Sequence, residues 1–308
     1  MSSIAVVFPG QGSQYVGMGQ ALCQASPAAR AVFETAESLS TLAIQRLCFE
    51  GPLEELTQTI NLQPAVVAVD LACWLALKEA GIQPVAVAGH SLGEYPALVA
   101  CGAISVEEAL RLVSLRGRLM EREALAHPGA MSALMGLSPD EVLALTQEVD
   151  GVVQPANFNT PQQTVITGSV EAVAAANALA KSRGAKAIPL KVSGAWHSPF
   201  MEAAGVDMRS ALEDVVFQPL TCAHVPNTTG QPTRDVAVAR QEIMGQLTSP
   251  VRWVQTVQAL VAMGVDTFIE AGPKNVLAGL IKKTAPDGVR VFNVEDPAGV
   301  ATVLGALG

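Results

Sequence analysis

The sequence predicts an α/β protein in which a larger domain carries a small inserted unit. Three observations predict it. Short apolar, strand-like runs alternate with helical patterns toward both ends of the chain, as a mostly parallel sheet requires. Between them, about 127–193 reads β-α-β-β-α-β, the element order of a ferredoxin-like unit. Gly89-His90-Ser91-Leu92-Gly93 stands between a strand pattern and a helix pattern, the context of a nucleophile elbow. On this reading 1–126 and 194–308 form the large catalytic domain, and 127–193 forms the small subdomain.

Each element has a local reason. Residues 4–10, IAVVFPG, are a buried strand ended by Pro-Gly. Helical patterns follow at 17–24, 27–38 and 52–58, then a long apolar one at 62–80 stopped by Gly81. A second buried strand covers 84–89, and Ser91–Ala100 is helical by pattern. In the helix over 105–123, Ser105 and Glu108 make a capping box. A strand is expected at 129–137, then a helix at 138–149 with Ser138 at its N-cap and Pro139 after it. VVQPANFN and QQTVITGS read as two strands joined at Thr160-Pro161. A helix stopped by Gly184 and the strand AKAIPLKVS complete the small unit. Helices at 198–214, 235–247, 250–263 and 275–283, the strands DTFIEAGP and VRVFNVE, and a last helix return to the larger domain.

Composition narrows the function classes. Half of the 308 residues are hydrophobic, enough for a sizeable core. The formal net charge of −9 argues against non-specific nucleic-acid binding. It also means that an anionic substrate must meet a local basic group. Five dispersed cysteines with no C-x-x-C pair read as reduced core thiols, not as a disulfide framework or a zinc site. The N-terminus lacks a signal-peptide pattern, and AVVAVDLACWLAL, interrupted by Asp70, falls short of a membrane span. The expectation is a cytoplasmic enzyme, monomeric, with no metal, membrane or nucleic-acid partner.

The elbow carries the chemistry. Gly89 and Gly93 supply the lack of bulk that a sharp turn needs, and the turn raises the Ser91 hydroxyl. Ser91 then sits at a helix start, where free N–H groups favour developing negative charge. The Leu92 N–H is placed to meet an oxyanion. A serine needs a base, and the chain has four histidines. His90 adjoins Ser91, so its ring should project away. His127 lies in an apparent loop, and His224 in TCAHVPNTTG. His197, in VSGAWHSPFM, follows a strand and precedes a helix, the end of a strand where α/β sites assemble, and leads on position. Arg116 sits beside the apolar stripe Leu112, Leu115 and Leu119. Its fork suits a carboxylate, but the pattern alone favours a snorkelling side chain, as for Arg118 and Arg122. FPGQGSQ (8–14) reads as a turn that brings backbone and the Gln11 carboxamide close to a ligand. It matches neither a P-loop nor a dinucleotide fingerprint.

Taken together, FPGQGSQ, GHSLGEY, LVSLRGRLM, ANFNTPQQTVITGS, VSGAWHSPFM, QLTSPVRW and EAGPKNVLAGLIKK resemble, in order and over essentially the full length, the malonyl-CoA:acyl carrier protein transacylases. These are the acyltransferase family of fatty-acid and polyketide synthesis. The resemblance implies an α/β-hydrolase-like large domain with a short parallel sheet. It implies Ser91 as the acylated nucleophile, His197 as base and acid, and an oxyanion hole from Gln11 and the Leu92 N–H. Arg116 would hold the malonyl carboxylate, and Gln246 would orient the histidine through its backbone carbonyl, a Ser-His dyad in place of a triad. Malonyl-CoA and a holo acyl carrier protein are the implied partners. No cofactor is implied beyond the phosphopantetheine carried by that partner. Pro96, Lys274, the segment HVPNTTG and Trp196 depart from or vary within the family pattern. Pro96 is placed where it would perturb the helix after the elbow. Trp196 is placed where a bulky side chain crowds a branched acyl group. The competing readings are a thioester hydrolase, an α/β-hydrolase esterase and a non-catalytic docking protein.

Overall fold

The structure, a computed structural model, describes residues 2–308. β1 (Ile4–Phe8) leads into α1 (Gln20–Ala25), α2 (Pro27–Ser40), α3 (Ile44–Phe49) and α4 (Leu53–Thr57). α5 (Thr59–Glu79) and β2 (Ala86–Gly89) follow. A 3-10 turn at Ser91–Gly93 then enters α6 (Glu94–Ala100), and α7 (Val106–Ala126) comes next. The small unit is β3 (Ala130–Met135), α8 (Pro139–Gln147), β4 (Val153–Thr160), β5 (Gln163–Gly168), α9 (Val170–Ser182) and β6 (Lys186–Pro189). The chain returns through α10 (Glu202–Glu213), β7 (Ala223–Val225), α11 (Val236–Gly245), α12 (Trp253–Ala262), β8 (Thr267–Ala271), α13 (Val276–Ile281), β9 (Arg290–Val294) and α14 (Pro297–Leu307).

Two sheets organise these elements. The larger has the order β7-β2-β1-β8-β9 and every pairing in it is parallel. The smaller has the order β4-β5-β3-β6 and is antiparallel, the strand order of a ferredoxin-like sheet. One face of the small sheet packs Leu134 and Ile166 on Val142, Val173 and Ala176 of its own helices. Its other face, through Met131, Ala133 and Val165, joins the main core. The exchange Phe158 N–H to Val251 O (2.8 Å) and Val251 N–H to Ala156 O (2.8 Å) ties β4 to the segment before α12. The insert is therefore held as a wall of the large domain.

Caps set the helix starts. The boxes Ser105–Glu108 and Ser138–Glu141 each satisfy a first-turn donor and the cap's own N–H. Ser26 and Ser169 cap α2 and α9. The sequence does not predict α3, because its six residues are too short to show a period. α5 corrects a second expectation. It extends to 21 residues and is long and apolar enough by composition to cross a membrane, yet 83% of its most apolar window is buried inside the protein. Its Asp70 is fully buried, and burial pushes that carboxyl well up. All five cysteines are buried and free.

Two departures from the family pattern find their explanation in the backbone. Pro96 is the third residue of α6, in the first turn, where its missing N–H has no intrahelical acceptor to lose. The helix is not perturbed, against the expectation. Lys274 adopts φ 62°, the left-handed region that glycine enters without steric cost. Lys274→Gly is therefore expected to stabilise the protein by about 0.5–1 kcal/mol, the left-handed strain relieved less the extra freedom of an unfolded glycine. Urea unfolding checks this, and a lower midpoint would show that the lysine side chain contributes more than the strain it brings.

Candidate active site

The elbow is built by close approach of backbones. A Cβ on Gly89 would lie 1.9 Å from the Gly93 carbonyl, and one on Gly93 would lie 2.1 Å from Phe8 O. Only glycine fits either place. Between them Ser91 takes φ 51°, a strained value for a side-chain-bearing residue. Two side chains hold it there. Asn227 Oδ1 accepts from Ser91 N–H at 2.6 Å while its Nδ2 donates to Gly89 O at 2.6 Å. Gln246 Nε2 donates to Ser91 O at 2.7 Å.

His197 is buried, and it meets Ser91 across the fold: its Nε2 lies 2.8 Å from Ser91 Oγ. Its Nδ1 faces the carbonyls of Gln246 (3.1 Å) and Ser249 (2.9 Å). Carbonyls only accept, so the proton belongs on Nδ1 and the Nε2 lone pair takes the Ser91 hydroxyl. Burial, then the Arg116 charge, lower the imidazole to about 3, so the ring is a neutral base near neutral pH. Its backbone is at φ 59°, and Gln154 Nε2 holds its carbonyl at 2.9 Å.

Arg116 is buried, not snorkelling, which overturns the reading that its helix pattern alone favours. Nη1 donates to Gln63 Oε1 (2.6 Å) and to Met120 Sδ (3.1 Å). Nη2 donates to Ser91 Oγ (3.2 Å) and Gln246 Oε1 (3.2 Å). Tyr95 stacks at 5.9 Å. Among the described residues no carboxylate forms a salt bridge with it, and Nε has no partner. A buried guanidinium whose hydrogen bonds go only to neutral acceptors keeps charge that no salt bridge pairs. Arg118 and Arg122 are exposed, as expected.

These groups open on one cavity of about 90 Å³, lined by Gln11, Ser91, Arg116 and His197, with Met120, Met131, Leu190, Val192 and Trp196 as apolar walls. Among the described residues, no hydrogen bond inside the protein takes the N–H of Gln11 or of Leu92. Among the described residues, none of the other histidines hydrogen-bonds Ser91, although His90 also lines the cavity. His90 turns its ring to Asn159 Oδ1 at 2.8 Å and packs on Trp253. His127 is exposed at the end of α7, and His224 is fully buried in β7. Gln63, Gln154, Asn227 and Ser249 are functional residues that the sequence does not reveal. None has a periodic or spacing signal. Only the polar run PNTTG, hard after a strand, marks Asn227.

Fold and site together have the architecture of a serine enzyme of acyl chemistry: a serine on an elbow over a parallel sheet, a neutral histidine oriented by carbonyls, and a buried cation beside the serine. The model of the acyl transferase domain matches residues 5–307. The malonyl CoA-acyl carrier protein transacylase of Bacillus subtilis (strain 168) is 41% identical over 301 residues, 96% of this chain and 95% of that protein. The protein of the same name in Escherichia coli (strain K12) is 36% identical over 308 residues, 99% of both. Two solved structures superpose with a TM-score of 0.94. One is the malonyl CoA-acyl carrier protein transacylase of Coxiella burnetii, 36% identical, covering 99% of this chain and 98% of that one. The other is a malonyl-transacylase in complex with a type II PKS acyl-carrier protein, 38% identical, covering 99% and 100%. The chain belongs to the acyl transferase family, and within it to the malonyl CoA-acyl carrier protein transacylases.

Proposed function

We propose that this chain moves a malonyl group from CoA to the phosphopantetheine thiol of an acyl carrier protein through an ester on Ser91, in the cytoplasm, where its five free thiols stay reduced. The observation that carries the malonyl reading is the buried Arg116 without a carboxylate partner, 3.2 Å from Ser91 Oγ. His197 Nε2 takes the Ser91 proton as Oγ attacks the thioester carbon. The oxyanion that forms is met by the free N–H groups of Gln11 and Leu92. The C–S bond breaks, and His197 returns the proton to the leaving CoA sulfur. The carrier's thiol then gives its proton to His197 and attacks the ester. The C–O bond breaks, and Ser91 recovers its proton. Each step uses this chain's own groups and the carrier's prosthetic arm.

Arg116 supports selection of an acyl group that ends in a carboxylate. Trp196, buried against Gly194, supports exclusion of a branch beside it. One methyl is worth only about 1–3 kcal/mol in such a pocket, so the carboxylate is the stronger criterion. A hydrolase on the same scaffold would have no use for the cation.

Intact mass tests the reading. Mixing with malonyl-CoA is expected to add one malonyl group to the wild type and none to Ser91→Ala, and holo carrier protein should then remove it. A malonyl adduct that decays to free malonate at the same rate without carrier would instead make the chain a hydrolase.

A further inference from the structure

We propose that Glu94 is a positioning residue for malonyl transfer: through the Gln246 carboxamide it holds the arginine that receives the substrate's carboxylate. The inference rests on the malonyl reading above and concerns a residue that never touches substrate.

Glu94 follows Ser91 by three residues and is fully buried beneath the elbow. A carboxyl there is costly unless its oxygens are used. Oε2 accepts from Gln246 Nε2 at 2.8 Å and from Asn227 N–H at 3.4 Å. Oε1 has no hydrogen-bond partner and faces His224 Nε2 at 3.6 Å. Both residues that Glu94 engages are clamps of the site. Asn227 holds Ser91 N–H and Gly89 O, and Gln246 holds Ser91 O, Arg116 and, by its backbone carbonyl, His197.

The direction in which the Gln246 amide points is decisive. Its Nε2 has two hydrogens, and both are taken, by Ser91 O and Glu94 Oε2. Its Oε1 is left to face Arg116 Nη2. Turned over, the amide would set an oxygen against two oxygens and an NH2 against a guanidinium. Glu94 thus removes the alternative in which Arg116 loses an acceptor. Burial raises the carboxyl to about 8. The role survives either protonation state, because two donors converge on Oε2, so a proton belongs on Oε1, toward His224. What matters is an acceptor at the Oε2 position, not the charge.

That distinction makes the test sharp. Glu94→Gln keeps a carbonyl oxygen where Oε2 stands and points its NH2 at His224. Glu94→Asp keeps the acid and withdraws the acceptor by one methylene. The kcat and KM of the full chain would be measured for malonyl-CoA and acetyl-CoA with holo acyl carrier protein. Glu94→Asp is expected to lower kcat/KM for malonyl-CoA about tenfold, the effect of one buried donor left unpaired, and acetyl transfer by a clearly smaller factor, since only malonyl uses Arg116 while both use Ser91. Glu94→Gln is expected to restore the malonyl preference to within about twofold of wild type, the scatter of a conserved hydrogen bond. Gln246→Leu removes the amide but keeps the carbonyl that His197 uses, and it should also lose malonyl transfer more than acetyl. The proposal is overturned if Glu94→Asp retains the preference and Glu94→Gln loses it, which would mean a role for charge. It is overturned equally if Glu94→Asp or Gln246→Leu lowers both donors alike, which would mean general support of the fold. A wild type with no malonyl preference would instead sink the malonyl reading itself, so the two failures are told apart.

Discussion

Arg116→Ala is expected to lower kcat/KM for malonyl-CoA by on the order of 10²–10³-fold, and for acetyl-CoA by less than about tenfold. The size follows from the surroundings. A buried charge pair broken at one end costs about 3–5 kcal/mol, and about 1.4 kcal/mol is a factor of ten. With malonyl bound, the pair is Arg116 and the substrate's free carboxylate, set beside Ser91 by Gln63, Met120 and Gln246. Removing the arginine leaves that carboxylate in a small apolar-walled cavity without a partner. Acetyl has no carboxylate to strand, so its smaller loss is limited to what Arg116 contributes through its hydrogen bond to Ser91 Oγ. Competition between the two donors for one pool of holo carrier protein reads the ratio directly. Equal loss for both would show that Arg116 supports the elbow and selects nothing.

The second large effect belongs to His197. His197→Ala should slow malonylation of Ser91 by about 10²–10⁴-fold, the usual worth of a positioned acid-base group. The wild type should also show an unusual pH profile. A free imidazole titrates near 6.5, but burial and then the Arg116 charge lower this one to about 3 in the unliganded enzyme. Because the shift is downward, the neutral base is the populated form above pH 3, and protonation removes it only below. kcat/KM, which reports the free enzyme, is therefore expected to stay level from pH 8 down to about pH 5. Loss there should come only as pH approaches the titration of the substrate's own carboxylate, near 4 for an ordinary carboxyl. An acid limb centred near pH 6.5 would contradict the geometry, since it would require a solvated imidazole. Stopped-flow acylation across that range, with His197→Ala for the residual rate, makes the measurement.

The elbow and its nucleophile are legible in the sequence alone. Gly89 and Gly93 flank Ser91 because backbones come within contact distance there, and a demand for zero side-chain volume is visible as a residue type. The two capping boxes and the β-α-β-β-α-β order are local in the same sense, set by residues within a few positions of one another. That Lys274 stands where glycine is usual comes only from the family resemblance, and a left-handed backbone angle explains why glycine suits that place.

Arg116 marks the limit of such reading. Its neighbours along α7 suit a solvated arginine as well as a buried one, and only the family resemblance points the other way. What buries it are Gln63, Tyr95, Met120 and Gln246, most of them far away in sequence. His197 leads on position alone. Its tautomer depends on two carbonyls about fifty residues on, and a backbone carbonyl has no letter in a sequence. Gln154 leaves no mark, and Glu94 in GHSLGEY and Asn227 in PNTTG stand in visible stretches whose letters do not say which backbone group or clamp each holds. The membrane-length helix α5 shows the reverse case, apolar composition that packing alone assigns to the core. By itself the sequence determined which residues can turn tightly, cap and react, because those properties are carried by single side chains and short spacings. Only the tertiary structure decided which charge is buried, which ring nitrogen bears the proton and which amide faces the arginine, because burial and hydrogen-bond partnership are properties of the space between distant segments.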